Sequence, residues 1–266
     1  MKHHEWIISQ NRKLSAMIHV NTFTVRQTPL VICCHGFTSE KVGTNQLMLH
    51  LANAIEAAGL LAVRFDFAGS GESDGDFVAD TTIKSWREDL RNVVDWVKSR
   101  PAFDSLPLYL LGHSLGGLIA LSHEDDGIAG RIALAPVTHP VENFQNIILG
   151  PDLWQRSFNG HTVANFLSKG FSIGPNFVND LAENRYDLSA QACSHHSPLL
   201  IVHGSQDAVV PPSGSEIFYE RYHGEKELTL MEADHVFTGK HEELTALVTG
   251  WLAKQKNKVG TLCRTH

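Results

Sequence analysis

Short, unbroken apolar runs recur along this chain, and helical spacing follows most of them. Leu30–Cys34 is one such run, 60–67, 108–111, 131–135 and 199–203 are others, and 227–231 reads as a last strand of the set. A strand with one face in water alternates apolar and polar residues. A run that does not alternate needs cover on both faces. Two further runs, 7–10 and 15–20, read as strands joined near Asn11-Arg12 and complete a set of eight. Between the runs, 47–58 has helical spacing and ends at Gly59, a glycine of the kind that stops helices. In 83–98, Ile83, Trp86, Leu90, Val93, Val94 and Val97 form one apolar stripe. Later helices are expected over 217–222 and 244–252. Strand followed by helix, repeated, predicts an α/β fold with a mostly parallel eight-stranded sheet and helices on both faces.

One stretch breaks the rhythm. Residues 137–185 hold Phe144, Trp154, Phe158, Phe166, Phe171 and Phe177 among glycines and amides, with no clean strand. Long structureless loops are uncommon in compact domains, so this stretch is expected to be an inserted cap. The 266 residues then divide into a core of 1–136 and 191–266 and a cap of 137–190. Phe144, Trp154, Phe158 and Phe166 are the cap side chains expected to face a substrate.

The chemistry is concentrated where apolar runs end. Gly112-His113-Ser114-Leu115-Gly116-Gly117 follows a strand and opens a helix. This Gly-x-Ser-x-Gly turn is the setting of an exposed nucleophilic serine. His35-Gly36-Phe37 follows Leu30–Cys34. Backbone amides there and after the serine can hold a developing oxyanion, which points to Phe37 and Leu115. His35 ends a buried strand and is read as structural. Asp207 follows the 199–203 strand through a glycine turn, on the side where parallel sheets bind ligands. His235 follows the last strand. The order Ser114, Asp207, His235 is the nucleophile–acid–base order of one serine-hydrolase fold. His241 is the nearest rival base, but it falls in the last helix.

Other patterns carry less. The net charge of −7 and the lack of a basic stripe argue against nucleic acid as a partner. Lys254, Lys256 and Lys258 read as a solvated last helix. Gly69-Ser70-Gly71 lacks the lysine of a phosphate loop. Asp74 and Asp76 lack the later ligands of a calcium loop, and His3-His4 and His195-His196 lack zinc spacing. No metal and no cofactor are expected. The four cysteines form no disulfide framework, and adjacent Cys33 and Cys34 should point to opposite sheet faces. With no signal-peptide pattern and no apolar window of spanning length, a cytoplasmic protein without membrane insertion is expected. A small-molecule ester is the expected partner, and a homodimer is compatible with the sequence.

The segments His35–Thr38, 64–73, 112–117, 203–207 and Asp234-His235 together resemble the α/β-hydrolases, and the resemblance spans about residues 5–253. It is most similar to bacterial cinnamoyl or feruloyl esterases. That resemblance implies an α/β-hydrolase fold with a compact cap, Ser114, Asp207 and His235 as the triad, and the amides of Phe37 and Leu115 as the oxyanion hole. It implies a serine carboxylesterase acting on small to medium acyl or aryl esters, hydroxycinnamates among them. Two departures touch the substrate: Leu115, where these esterases often carry glutamine, and a short helix after Gly117. Hydrolysis of thioesters, peptides or carbon–carbon bonds by the same triad stays open, as does a ligand-binding homologue without catalysis.

Overall fold

The computed structural model describes residues 1–20, 28–124, 127–166, 170–188, 192 and 196–262, the last four as helix backbone. Cys193, His195, Cys263 and the expected cap boundary at 190–191 lie outside these residues.

The chain opens with an antiparallel hairpin, β1 (Lys2–Ser9) and β2 (Arg12–His19). Gln10 and Asn11 turn it with φ of 47° and 65°, the left-handed pair that matches the twist of a hairpin. Then come β3 (Leu30–Cys34), α1 (Leu47–Ala57), β4 (Leu61–Phe65), α2 (Phe77–Asp80), α3 (Ile83–Lys98), β5 (Leu108–His113), α4 (Leu115–Leu121) and β6 (Ile128–Leu134). An insert follows, with α5 (Pro140–Asn143), a π-helical turn (Phe144–Ile148), α6 (Pro151–Phe158), β7 (Val163–Phe166), β8 (Phe171–Ile173) and α7 (Pro175–Asn184). The chain closes with β9 (Leu199–Gly204), α8 (Ser213–Arg221), β10 (Lys226–Met231) and α9 (His241–Leu262).

Eight strands form one sheet in the order β1-β2-β4-β3-β5-β6-β9-β10. The pairs β1–β2 and β2–β4 are antiparallel, and every pair from β4 to β10 is parallel. Both faces are covered, and the strands divide their side chains between them. Leu30, Ile32 and Cys34 join the core under α3, α4 and the insert, while Val31 and Cys33 join the core under α1 and α9. The two cysteines thus point to opposite faces, as period-2 geometry requires. This is the doubly covered, mostly parallel eight-stranded sheet expected from the unbroken apolar runs.

The insert and the last helix differ from the sequence reading, as do β1, which starts at Lys2, α2, which was not expected, and α8, which starts at Ser213. The insert contains an antiparallel hairpin, β7–β8, where no strand was expected. Its register shifts between Val163 and Phe166, so only these two ends of β7 turn inward and no alternation is visible in the sequence. The last helix runs to Leu262, ten residues beyond the apolar pattern, because Ala, Lys and Gln propagate a helix without needing a buried face. The insert is tied to the core at the start of α3, where Asp180 of α7 accepts from the amides of Ile83 and Lys84 at 2.8 and 3.2 Å. Among the described residues no helix is long and apolar enough to cross a membrane.

Candidate active site

Ser114 sits between β5 and α4 with φ 55° and ψ −120°, a conformation that non-glycine residues rarely take. The glycines around it make the turn sterically feasible. A Cβ on Gly112 would lie 2.1 Å from the Gly116 carbonyl oxygen, and one on Gly116 would lie 2.3 Å from the carbonyl oxygens of Cys34 and His35. The turn therefore lies hard against the end of β3, which brings Ser114 beside the His35–Phe37 loop.

The structure brings Ser114, His235 and Asp207 into one hydrogen-bonded line. The Ser114 hydroxyl donates to His235 Nε2 at 3.0 Å, and His235 Nδ1–H donates to Asp207 Oδ2 at 2.7 Å. Asp207 Oδ1 accepts from the amides of Val209 and Val210, both at 2.8 Å. Burial pushes the Asp207 carboxyl up, but its hydrogen bonds to His203 and His235 outweigh this and hold it well below the usual carboxylate range. It is an anion throughout the physiological range, placed to hold the Nδ1–H of His235.

Two histidines that sequence reasoning left without a role support this line. His203, fully buried at the end of β9, lies 3.2 Å from Asp207 Oδ2 and 2.9 Å from the Val210 carbonyl through Nε2. Its Nδ1 is 2.7 Å from Ser215 Oγ. Both partners of Nε2 are acceptors, so Nε2 carries the proton and Nδ1 accepts from the Ser215 hydroxyl. Asp207 Oδ2 thus has two ring donors. His113, immediately before Ser114, donates from Nε2 to the His235 carbonyl at 2.9 Å. Burial, reinforced by His235 nearby, pushes the His113 ring down to about 3, which keeps it neutral and a fixed donor. The sequence signal for both was present, a histidine at the buried end of a strand that also ends in a site residue.

His35 is structural, as read. Its Nδ1–H donates to the Gly36 carbonyl at 2.8 Å and its Nε2 accepts from the Phe67 amide at 3.1 Å. The ring thereby fixes the peptide that carries the Phe37 amide. Among the described residues neither the Phe37 nor the Leu115 amide donates to another group, so both are left for a ligand. His241 begins α9 and donates to the Val236 carbonyl at 3.1 Å, outside the line.

A cavity of about 350 Å³ opens over Ser114, lined by Phe37, Ile148, Phe166, Val209, His235 and Val236 among others. Of the four aromatic cap residues expected to face substrate, Phe166 alone lines it. Phe144 is fully buried, edge-on to Phe37 and Phe177, and forms the cavity's backing. Trp154 is buried in the insert's own core, and Phe158 is 48% exposed on the outer side of α6. The correction has a geometric reason. α6 packs against α7 and β7, so its apolar face is used up inside the insert. Ile148, on the π-helical turn, takes the place assigned to the aromatics.

The profile of the family described as serine aminopeptidase, S33 matches residues 26–168, which include His35–Phe37, the turn at Ser114 and the start of the insert. The chain belongs to that family. It is a serine-hydrolase, esterase-like member of the α/β-hydrolases. An Escherichia coli protein described as an uncharacterized 31.7 kDa protein in the traX-finO intergenic region is 26% identical, over 85% of this chain and 91% of that one. Monoacylglycerol lipase of Mycolicibacterium smegmatis is 24% identical, over 72% of this chain and 75% of its own. Among solved structures, Est1E from Butyrivibrio proteoclasticus, determined with ferulic acid bound, superposes with a TM-score of 0.81 at 25% identity. It covers 94% of this chain and 98% of its own. These likenesses agree with the α/β-hydrolase resemblance read from the motifs.

Proposed function

We propose that this S33-family hydrolase is a carboxylesterase that works through an acyl-enzyme on Ser114. The observation that carries the reading is the line from Asp207 through His235 to Ser114 Oγ at the floor of an apolar cavity. His235 takes the hydroxyl proton as Ser114 attacks the ester carbonyl. The Phe37 and Leu115 amides hold the oxyanion, and Asp207 holds the imidazole in the tautomer that leaves Nε2 free. His235 returns the proton to the departing alcohol. Water then enters, is deprotonated by the same imidazole and frees the acid. No step calls on a metal or a cofactor.

An ester fits the cavity better than the peptide named in the family's description. An aminopeptidase must hold a cationic amine beside the scissile bond. Among the described lining residues, Asp234 alone offers a carboxylate besides the triad's own, and its Oδ1 already accepts from the amides of Val236 and Thr238. Phe37 and Phe166 suit an acyl or aryl group, and the ferulic acid held by Est1E supports hydroxycinnamate esters as the class to try first. The segment 137–190 acts in this reading as the cap that selects the substrate. The test is the ratio of kcat/KM for methyl ferulate to that for methyl butyrate. A ratio above one supports the aryl reading. A ratio far below one leaves a general carboxylesterase, and hydrolysis of amino-acid amides in preference to both esters would overturn the ester reading.

A further inference from the structure

The strand β1 is an edge of the sheet, with β2 on one side and no strand on the other. The Met1 amine donates to the Val20 carbonyl at 2.7 Å, and the Val20 amide donates back to the Met1 carbonyl at 2.9 Å. Bonding alternates along an antiparallel pair. The odd-numbered residues of β1 therefore bond β2, and Lys2, His4, Trp6 and Ile8 turn their N–H and C=O groups outward. No described residue bonds these outward groups. Free edges are commonly shielded by shortness, proline or a bulge. β1 has eight residues, no proline and an unbroken register with β2. Its outward residues carry apolar bulk, Trp6 being 46% and Ile8 60% exposed. The edge is also held in shape. Ser9 Oγ donates to Asp89 of α3 at 2.6 Å, and His4 Nε2 lies 3.0 Å from Ser15 Oγ. Trp6 rests edge-on against the His4 ring, 4.8 Å between centroids.

We propose that β1 pairs with β1 of a second copy of this chain, antiparallel across a two-fold axis at His4, so that two eight-stranded sheets become one. The dimer goes beyond the esterase reading and does not depend on it. Charge selects both this partner and this register. With the axis at His4, Lys2 stands opposite the partner's Trp6, and its ammonium reaches the face of the indole. His3 stands opposite the partner's Glu5 in a close, non-bonded pair, where an imidazole N–H donates to the carboxylate. The two-fold repeats both contacts, because a symmetric interface uses the same patch twice. An axis at Glu5 would set two carboxylates opposite each other. An axis at Trp6 would set Glu5 opposite the partner's Ile7. Only the axis at His4 matches every charge with a complementary group.

Sedimentation velocity of the full chain over rising micromolar concentrations tests the association. The expected result is a monomer that gives way to a dimer. Trp6→Lys sets a lysine against the partner's Lys2 and should weaken the dimer about tenfold or more. Its side chain is at the surface, and far-ultraviolet circular dichroism checks that the variant is folded. The register is read by cysteine pairing, since close non-bonded pairs lie within reach of a disulfide. An equal mixture of His3→Cys and Glu5→Cys chains, oxidised after mixing, should give a cross-linked dimer. Neither variant alone should cross-link above the level of the parent chain. A chain that stays monomeric throughout overturns the proposal. So does a dimer that Trp6→Lys leaves intact and that the mixed cysteines do not link, which would place association on another surface. Cross-linking of Glu5→Cys alone would put the axis at Glu5 and overturn the charge pairing on which the proposal stands.

Discussion

The Ser114 turn and the insert line the same cavity and are built on opposite principles. At Gly112 and Gly116 the backbone touches backbone, with no room for one extra carbon. Around the insert the elements are short, β7 and β8 hold four and three residues, and Ile147 and Phe158 stand in water. The turn leaves nothing to vary. The insert is joined to the core by polar bonds at the start of α3 and at Val209, and by Phe144, Phe166 and Phe177 packed on Phe37, so side chains and not backbone make its contacts. The difference teaches a division of labour under the proposed reading, in which the ends of sheet strands carry reactivity and the cover carries selectivity.

Gly116→Ala puts the largest strain on this contrast. Its Cβ must displace the ends of β3, not a flexible side chain, and should cost about 3 kcal/mol of stability. The expected outcome is a melting temperature lowered by several degrees together with loss of ester hydrolysis. A variant as stable and as active as the parent would show that the turn is less tightly seated than its contacts imply.

His203→Leu asks whether the acid side of the site shares that rigidity. It removes one of two ring donors from Asp207 Oδ2, a charge-assisted bond worth about 1.5–3 kcal/mol, so kcat/KM should fall roughly tenfold or more. His203→Gln, which keeps an N–H near the same place, should recover part of the loss. In the parent protein Asp207 is ionised well below neutral pH. Asp207 should therefore add no acid-side step to the rate above about pH 4, and such a step that persists in His203→Gln and is traced to the Asp207 carboxyl would contradict the assignment.

The cover should give the smallest effects. Phe166→Ala should change the ratio between aryl and short aliphatic esters by about 1–3 kcal/mol in discrimination while Ser114 still reacts. Phe158→Ala, at an exposed position away from the cavity, should change it less than about twofold. Equal shifts in both variants would erase the distinction between lining and outer residues.

The same contrast explains what was legible in the sequence. The strands of the core announced themselves because a sheet covered on both faces needs unbroken apolar runs. Ser114, Asp207 and His235 stood out because each follows such a run. The insert stayed opaque, since its short strands bury only their ends and its aromatics pack on one another. Nothing in the spacing of Phe144, Trp154 and Phe158 says which of them turns toward Ser114. The second partner of Asp207 was missed for another reason. His203 and Asp207 are four residues apart on a turn, and only the folded turn shows that both ring donors converge on one oxygen.

The central claim is that Ser114, His235 and Asp207 act as one unit. It is tested most directly by comparing ester hydrolysis in Ser114→Ala, His235→Ala and the double variant. The account predicts that each single change leaves a folded protein with activity reduced by several orders of magnitude, and that the double variant is little worse than either. Losses that multiply in the double variant, or turnover that survives in Ser114→Ala, would contradict it.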